Sequence, residues 1–395
     1  MQRVSKWISC QIGARENYAI PRALHQRGSL YELITDLWSA SDSRSFALAK
    51  LHDRYHPDLA DARVKSSNLS FLQLELVARA TRLRDWDLIG KRNRAFQSFV
   101  INECNKINGS PVHPKVFAYS YAAKGILKLA KQKSWPTVLG QIDGGPVEER
   151  IVSELSDQFA FKTAPSAYWD DWREECDLAD KVMVNSRWSK KCLVEAGIDE
   201  NKIEVIPLAF EPPVESLSFV RSFATHFTAE RPLRVLFLGQ IKEQKGIGAL
   251  FEAIKLLGGE PIEFWFVGLA HTKIQNELAT LPHVKFFGLV PRAEVGNYYR
   301  EADVFIFPTH SDGFGLTQLE AQAWKLPVIA STYCGDVVRD GENGLLLHEV
   351  KGEVVANTLK KLLEMPQLLP QLSSNSRVAP GFSVASLADS MTNLI

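Results

Sequence analysis

The chain has 395 residues, of which 45% are hydrophobic and 23% charged, the proportions typical of a soluble globular protein. Lysine plus arginine and aspartate plus glutamate both number 46, so no overall basic charge points to a nucleic-acid partner. The length exceeds that of a usual single core, and two domains are expected.

The amino-terminal region begins with a predicted strand over residues 4–12, followed by a loop that starts at Gly13 and enters a helix. Residues 40–108 have a mostly helical pattern, and a further strand is predicted to end within residues 116–121. Gly13 is either an ordinary turn glycine or a position where the backbone approaches a ligand closely, because glycine has no Cβ.

Four lysines mark the helix predicted over residues 122–135, which contains no acidic residue. They are Lys124, Lys128, Lys131 and Lys133. Such a strip either rests on an anionic lipid surface, which would give a peripheral membrane contact, or is a solvated helix face. Both interpretations stay open.

The remaining elements of the first half are strands and one linker. Residues 137–146 are predicted to be a strand followed by a glycine-rich loop, and residues 179–207 contain further strands. Asn185 and Ser186 lie at a strand-to-helix turn, where serine is a good amino-terminal cap, so a structural role is expected for both. Residues 209–232, with paired prolines and mixed polar content, fit an interdomain linker.

A second domain is predicted to open with a buried strand that starts at Arg234. The loop after this strand ends in Lys245 and Gly246, and a helix follows over residues 249–257. A lysine before a glycine is usually a solvated turn residue. The sequence contains neither a Gly-x-Gly-x-x-Gly fingerprint nor a Walker-type Gly-Lys-Ser/Thr, so a dehydrogenase or a P-loop enzyme gets no support.

The most informative segment joins a predicted strand over residues 302–307 to a helix over residues 316–325. It carries two carboxylates, Asp312 and Glu320, separated by seven residues that begin with Gly-Phe-Gly. Another strand follows, so the loop opens at the carboxyl edge of a parallel sheet, where ligands bind and backbone N–H groups can meet a phosphate. The alternative is that one acid caps a helix and the other is solvated.

This loop resembles the donor-site motif of retaining nucleotide-sugar glycosyltransferases of the GT-B fold, the family often called family 4 or glycosyl transferases group 1. The resemblance implies an α/β fold in which two Rossmann-like domains face each other across a cleft. Family members usually have Glu, seven residues and Glu, whereas this chain has Asp312 and Glu320. The segment ending in Lys245 and Gly246 resembles the family's diphosphate-binding loop, but Gln240 replaces the usual arginine and so removes a positive charge.

The resemblance implies that a nucleotide sugar is the co-substrate and that neither a cofactor nor a metal is needed. Lys245 would stabilise the diphosphate, Asp312 would contact the sugar hydroxyls, and Glu320 would hold the ribose. Where many relatives have a histidine, this chain offers Gln141 and Asp143. Asp143 would position the sugar or the acceptor hydroxyl, or support the turn.

The catalytic candidates are therefore Lys245, Asp312 and Asp143. In the family the loop after the first strand lies beside the diphosphate, which makes Gly13 a candidate for close approach and Arg15 a candidate for charge. The predicted donor-binding residues are Gly13, Gly239, Gln240, Lys245, Asp312, Gly313, Phe314, Gly315, Leu316, Thr317 and Glu320.

The resemblance also implies a domain plan. Residues 1–210 would form the acceptor domain, residues 211–232 the linker and residues 233–383 the donor domain, and a helix over residues 384–395 would cross back to the first domain. The expected donor is a UDP- or GDP-sugar, and the expected acceptor is a glycan, a lipid-linked sugar or a small molecule. The sugar would be transferred with retention of its anomeric configuration, and no nucleic-acid partner is expected.

Location is inferred from what the sequence lacks. The first ten residues have no apolar stretch of signal-peptide length, and no run approaches a membrane-spanning length. A cytoplasmic protein is expected, with a peripheral position at the inner membrane face left open. The five cysteines contain no Cys-x-x-Cys pair and the nine histidines have no metal-ligand spacing, so reduced thiols and no bound metal are predicted.

Two other functions fit the same residues. One is a non-catalytic nucleotide-sugar-binding partner in a glycan-assembly complex, in which Gln240 and Asp312 mark a decayed site. The other is an epimerase that acts on a nucleotide sugar within the same fold.

Overall fold

The computed structural model describes residues 6–39, 54–107, 113–155, 163–281 and 283–395. These residues form two parallel β-sheets, each covered by helices, and the predicted pair of Rossmann-like α/β domains is confirmed. All five cysteines fall within the described ranges, where they are buried free thiols.

The first sheet has seven parallel strands in the spatial order β3-β2-β1-β4-β5-β6-β7. The strands are β1 Trp7–Gln11, β2 Leu30–Thr35, β3 Val64–Ser66, β4 Lys115–Tyr119, β5 Thr137–Gly140, β6 Lys181–Val184 and β7 Ile203–Val205. The direction of chain progression reverses between β1 and β4, so the loops after these two strands diverge and leave a crevice at the carboxyl edge.

The second sheet has six parallel strands in the order β10-β9-β8-β11-β12-β13. The strands are β8 Leu233–Leu238, β9 Ile262–Val267, β10 Val284–Gly288, β11 Val304–Phe307, β12 Val328–Ser331 and β13 Gly344–Leu347. Here the reversal falls between β8 and β11. These are the strands that precede the two loops singled out in the sequence.

Fifteen α-helices are present among the described residues. Those of the first half are α1 Ala19–Gln26, α2 Asn68–Ala80, α3 Asp85–Asn105, α4 Lys124–Gln132, α5 Gly145–Leu155, α6 Ser166–Leu178, α7 Arg187–Glu195 and α8 Val214–Leu217. Those of the second half are α9 Ile247–Leu256, α10 Thr272–Leu278, α11 Val295–Glu301, α12 Thr317–Ala323, α13 Gly352–Glu364, α14 Leu368–Asn375 and α15 Val384–Leu394. None of the helices in the described ranges is both long and apolar enough to cross a bilayer.

The last helix belongs to the core of the first domain. In α15, Leu387 and Met391 are buried in one hydrophobic cluster with Ile20 and Leu24 of α1. The chain therefore crosses back from the second sheet to the first, and the division into domains at residues 210, 232 and 383 stays a prediction. The apolar face of α15 therefore packs against α1 and holds the two helices together.

Two parts of the first half differ from the sequence-based expectation. The segment with a mostly helical pattern contains α2 and α3 but also the short edge strand β3, and its residues 40–53 lie outside the described residues. The first strand is shorter than predicted, and residues 4 and 5 of that prediction are likewise outside the described part. Edge strands as short as β3 carry too little periodicity to be predicted from sequence.

The lysine strip of α4 is paired with acids that the sequence pattern did not reveal. Lys124 lies 2.6 Å from Asp171, Lys128 lies 2.5 Å from Glu174, and Lys131 forms an ion pair with Asp180. Helix α6 and the residues just after it thus neutralise much of the positive charge. This arrangement favours the solvated helix face over a lipid-binding strip, and the membrane contact stays a prediction.

Candidate functional site

The carboxyl edges of the two sheets enclose a cavity of 450 Å³. The first domain contributes residues from the loops after β1 and β5, the residue after β6 and Leu208 after β7. The second domain contributes the loops after β8 and β11, the two strands that flank its topological switch point. The residues of the second domain that line the cavity are Phe237, Leu238, Gly239, Gln240, Lys245, Phe307, Asp312, Phe314, Gly315, Leu316 and Thr317.

Lys245 and Asp312 form an ion pair in the wall of this cavity. Their side chains are mostly buried, with exposed fractions of 15% and 21%. Gly246 makes this pairing geometrically feasible, because its φ is 77° and a Cβ there would lie 1.9 Å from the carbonyl oxygen of Pro308. Only glycine lets the loop after β8 pack this closely against the loop after β11. The two charged side chains therefore share one small volume.

The loop from Asp312 to Thr317 turns its backbone toward the cavity. The amide of Phe314 donates to Asp312 Oδ1 over 3.0 Å, and Gly315 has a φ of 81°. The amides of Gly315 and Leu316 donate to no acceptor within the described part of the chain. Thr317 Oγ1 is buried and has no hydrogen-bond partner there. A buried hydroxyl is rarely left unpaired, and the two amides belong to half-buried residues at the cavity wall, so these three donors are available to a polar ligand.

The first-domain wall includes a strained segment after β1. Glu16, Asn17 and Tyr18 have φ values of 51°, 53° and 58°, although none of them is glycine. Each such residue in the left-handed region costs about 1–2 kcal/mol, and strain of this kind concentrates at functional sites. Arg15 and Glu16 both line the cavity. Burial raises the pKa of Glu16 to about 7, so this carboxyl group titrates near neutral pH.

The two domains touch directly beside the cavity. Glu148 of α5 accepts hydrogen bonds from Gln244 Nε2 over 2.7 Å and from Ser311 Oγ over 2.8 Å. A Cβ on Gly313 would lie 2.0 Å from the carbonyl oxygen of Ile142. Burial raises the pKa of Glu148. The cleft is therefore closed around the cavity by contacts that tolerate little change in size or charge.

Asp143 is held by a network of neutral donors. Its Oδ1 accepts hydrogen bonds from Tyr121 Oη over 2.5 Å, from Gln141 Nε2 over 2.7 Å and from the Gly145 amide over 2.9 Å. Burial raises the pKa of this carboxyl group. The side chain lines a second, larger cavity next to the first, so it lies beside the donor candidates rather than among them.

The structure brings most of the predicted donor-binding residues together. Those that line the cavity are Gly239, Gln240, Lys245, Asp312, Phe314, Gly315, Leu316 and Thr317. Among the described lining residues, Gly13, Gly313 and Glu320 are missing. Gly313 packs against the backbone of Ile142 in the first domain, and its close approach to a ligand stays a prediction.

Gly13 and Glu320 are held by other protein groups. Gly13 has a φ of 80°, and its amide donates to Asp36 Oδ1 over 2.8 Å, as in a turn, so its close approach to a ligand stays a prediction. Glu320 Oε2 accepts a hydrogen bond from Tyr299 Oη over 2.7 Å, one turn of α12 beyond Thr317. Its predicted contact with a ribose stays a prediction.

Sequence reasoning missed several residues of the first-domain wall. Glu16 gave no signal, because a left-handed turn without glycine has no sequence signature. A structural role is expected for Asn185, yet this residue lines the cavity. Ser186 does cap α7, because its Oγ accepts a hydrogen bond from the Ser189 amide over 3.0 Å. Glu148 contacts groups far away in the chain. Its partners Gln244 and Ser311 belong to the second domain, so the sequence around Glu148 gives no signal for its position beside the cavity.

No group of three or more His, Cys, Asp or Glu side chains suited to a metal ion is found within the described ranges. The absence of a metal from the reaction therefore stays a prediction.

A comparison with known protein families adds to this geometry. The family described as "Glycosyl transferases group 1" matches residues 232–365, which include both cavity loops of the second domain. This match covers the second domain, and the two-domain α/β architecture is that of the GT-B fold.

Individual relatives match part of the chain. An uncharacterized 41.2 kDa protein in the cps region of Klebsiella pneumoniae is 31% identical over 43% of this chain and 48% of its own length. The amylovoran biosynthesis glycosyltransferase AmsK of Erwinia amylovora is 28% identical over 45% of this chain and 46% of its own length. The chain thus spans about half the length of the curated relatives it matches.

A solved structure is similar over both domains. Anabaena Alr3699/HepE, crystallised in complex with UDP, superposes with a TM-score of 0.63 and covers 98% of this chain and 97% of that one at 15% identity. At this level of identity the likeness establishes the shared fold.

Proposed function

We propose that the protein is a glycosyltransferase that moves a sugar from a nucleotide-sugar donor to a glycan, lipid-linked or small-molecule acceptor, with retention of anomeric configuration. The observation that carries this proposal is the cavity in which Lys245 and Asp312 meet beside the unpaired amides of Gly315 and Leu316. A cation and backbone donors suit a diphosphate, and a carboxylate suits sugar hydroxyls.

Each residue then has a distinct role. Lys245 and the loop amides stabilise negative charge as the nucleoside diphosphate leaves, which is the kind of interaction that contributes most to catalysis. Asp312 exchanges its ion pair with Lys245 for hydrogen bonds from the sugar. Because α12 has only seven residues, the lysine and the loop amides rather than a helix dipole supply the positive potential. Glu320 holds the ribose.

The reaction breaks the bond between the anomeric carbon and the diphosphate oxygen, which departs with the electron pair. A bond forms between the anomeric carbon and the acceptor oxygen on the same face. The proton of the acceptor hydroxyl passes to the leaving diphosphate, so no additional reactant is needed. A UDP-sugar is the first donor to test, because the solved structure of similar fold holds UDP, and GDP-sugars are the alternative.

A thermal-shift screen against UDP-, GDP- and ADP-sugars tests the proposal, followed by calorimetry and turnover with the best donor. One nucleotide sugar is expected to stabilise the protein, and Glu320→Ala is expected to weaken its binding strongly. Slow donor hydrolysis or transfer contradicts a non-catalytic partner, and nucleotide release that requires an acceptor contradicts an epimerase. Absence of binding by every nucleotide sugar would overturn the proposal.

A further inference from the structure

A second cavity of 820 Å³ lies beside the first, between the same two domains. Gln240 lines both cavities, and Ile142 of the first is the chain neighbour of Asp143 in the second. The volume lies within the range of sites for organic ligands. A molecule in the larger cavity would therefore be adjacent to a sugar held at Asp312.

Four aromatic rings form the first-domain wall of this larger cavity. The ring of Tyr168 lies 4.8 Å from that of Trp86, 5.1 Å from that of Tyr121 and 5.3 Å from that of Trp169. Aromatic rings present a negative face and bury large area with little loss of conformational freedom. The wall is suited to a flat ligand whose C–H bonds point at the rings.

Hydrogen bonds fix the orientation of this aromatic wall. Tyr121 Oη donates to Asp143 over 2.5 Å, and Trp169 Nε1 donates to Glu149 Oε2 over 2.8 Å. The amide of Tyr121 also donates to the buried Glu175 over 2.6 Å. Rings locked in this way need little reordering when a ligand binds.

The charged groups of the cavity are mainly acidic. Its lining includes the carboxyl groups of Asp143, Glu148, Glu149 and Glu243, and among the described residues one lysine, Lys242, lines it as well. A carboxylate can accept about four hydrogen bonds, so these groups retain capacity for hydroxyl donors. An anionic ligand would meet like charges, and a purely apolar chain would bury these carboxylates without new partners, which is costly.

We propose that the aromatic cavity is the acceptor subsite and that it takes a neutral carbohydrate, with one sugar ring stacked on Tyr168 and its hydroxyls bonded to the neighbouring carboxylates. A sugar ring combines a C–H face with a rim of hydroxyl donors, which is the combination that this lining complements. The assignment as acceptor subsite rests on the proposed function, whereas carbohydrate binding itself does not.

The test uses the full chain and two variants of one side chain. Maltose, cellobiose, lactose and N,N′-diacetylchitobiose are titrated by tryptophan fluorescence, since Trp86 and Trp169 line the cavity, and by saturation-transfer NMR. Tyr168→Phe keeps the ring, whereas Tyr168→Leu keeps an apolar group without a flat face. Farnesyl diphosphate, an anionic lipid, is the comparison ligand. Circular dichroism and melting temperature confirm that both variants are folded.

At least one neutral disaccharide is expected to bind saturably. Its affinity should fall about tenfold or more in Tyr168→Leu, the size expected for loss of a central aromatic contact, and should stay within about twofold in Tyr168→Phe. Failure of all four disaccharides, equal loss in both variants, or saturable binding of farnesyl diphosphate alone would overturn the inference.

A parallel titration with the best nucleotide sugar separates this inference from the proposed function. Nucleotide-sugar binding without disaccharide binding would overturn only the neutral-carbohydrate subsite. Disaccharide binding without nucleotide-sugar binding would overturn the proposed transfer and leave a glycan-binding cavity.

Discussion

The two walls of the cleft balance their charges in different ways. In the second domain, Asp312 is paired with Lys245 and accepts from the Phe314 amide, so the anionic group has a cationic partner. In the first domain, Asp143 and Glu148 receive hydrogen bonds from neutral donors, and burial raises the pKa of both. Glu16 is half-buried, and its Oε2 atom is buried without a hydrogen-bond partner among the described residues.

This difference separates two properties of the site. The second-domain wall holds a cation–carboxylate pair, whereas burial raises the pKa of the first-domain carboxyl groups of Asp143 and Glu148. The second-domain wall is therefore expected to set the strength of donor binding and catalysis. The first-domain wall is expected to set the pH response and the choice of acceptor. Four experiments can break or sharpen this division.

The largest effect is expected from Lys245→Met, which removes the cation of the second-domain wall and keeps most of the side-chain volume. Turnover should fall about 10²–10³-fold, as when one charge-stabilising donor is lost from a catalytic site. Lys255→Met, at an exposed position of α9, is the matched control and should keep normal activity. A large fall in melting temperature with unchanged turnover would assign Lys245 to structure.

The second experiment tests whether donor binding requires direct contact between the two walls of the cleft. In Gly313→Ala the new Cβ would meet the carbonyl oxygen of Ile142 at 2.0 Å, so closure of the cleft should cost about 1–3 kcal/mol. Donor affinity should fall about tenfold, because the binding-competent closed form is less populated. Gly259→Ala is the control, since a Cβ there meets nothing within 4 Å. Equal donor affinities in calorimetry would show that closure is not required.

The pH response should come from Glu16. Burial raises its pKa from 4.5 to about 7, so the group is neutral below that pH and anionic above it. A negative charge that appears beside the diphosphate opposes binding, and donor affinity should fall about three- to tenfold between about pH 6 and pH 8. Glu16→Gln should flatten this dependence. The affinity for an intact nucleotide sugar is measured by calorimetry at several pH values. The same pH dependence in Glu16→Gln as in the unmodified protein would exclude Glu16 as its cause.

The smallest effect concerns the far end of the donor loop. Tyr299→Phe removes the 2.7 Å hydrogen bond to Glu320, and donor affinity should fall about two- to fivefold, the range of a net hydrogen bond. Glu320→Ala should cost more, because it removes the ribose-binding group itself. Calorimetry on both variants compares them, and a larger loss in Tyr299→Phe would mean that Glu320 only supports the tyrosine.

The sequence predicted the second domain well because its signals are local. The buried apolar runs of β8, β11 and β12 and the glycines of the connecting loops lie within a few residues of one another. Local periodicity and turn chemistry are what single-sequence reasoning detects. Lys245 and Asp312, although 67 positions apart, were both found because each sits in a recognisable loop.

The first-domain wall was harder to predict because its properties arise from contacts distant in sequence. Glu148 gains its partners from the other domain, and the lysines of α4 gain theirs from α6. Asp143 was predicted as a candidate and its role stays a prediction, but the aromatic cavity beside it was not predicted, since Trp86 and Tyr168 meet only through the fold. Such pairings have no signature in one chain.

The central claim is that the cavity between the two sheets holds the diphosphate of a nucleotide sugar. A crystal structure of the protein with its best donor tests this most directly. Diphosphate oxygens are expected about 2.7–3.2 Å from Lys245 Nζ and from the amides of Gly315 and Leu316, with the sugar next to Asp312. A donor bound outside this cavity, or a Lys245–Asp312 pair that persists while the donor occupies another surface, would contradict the account.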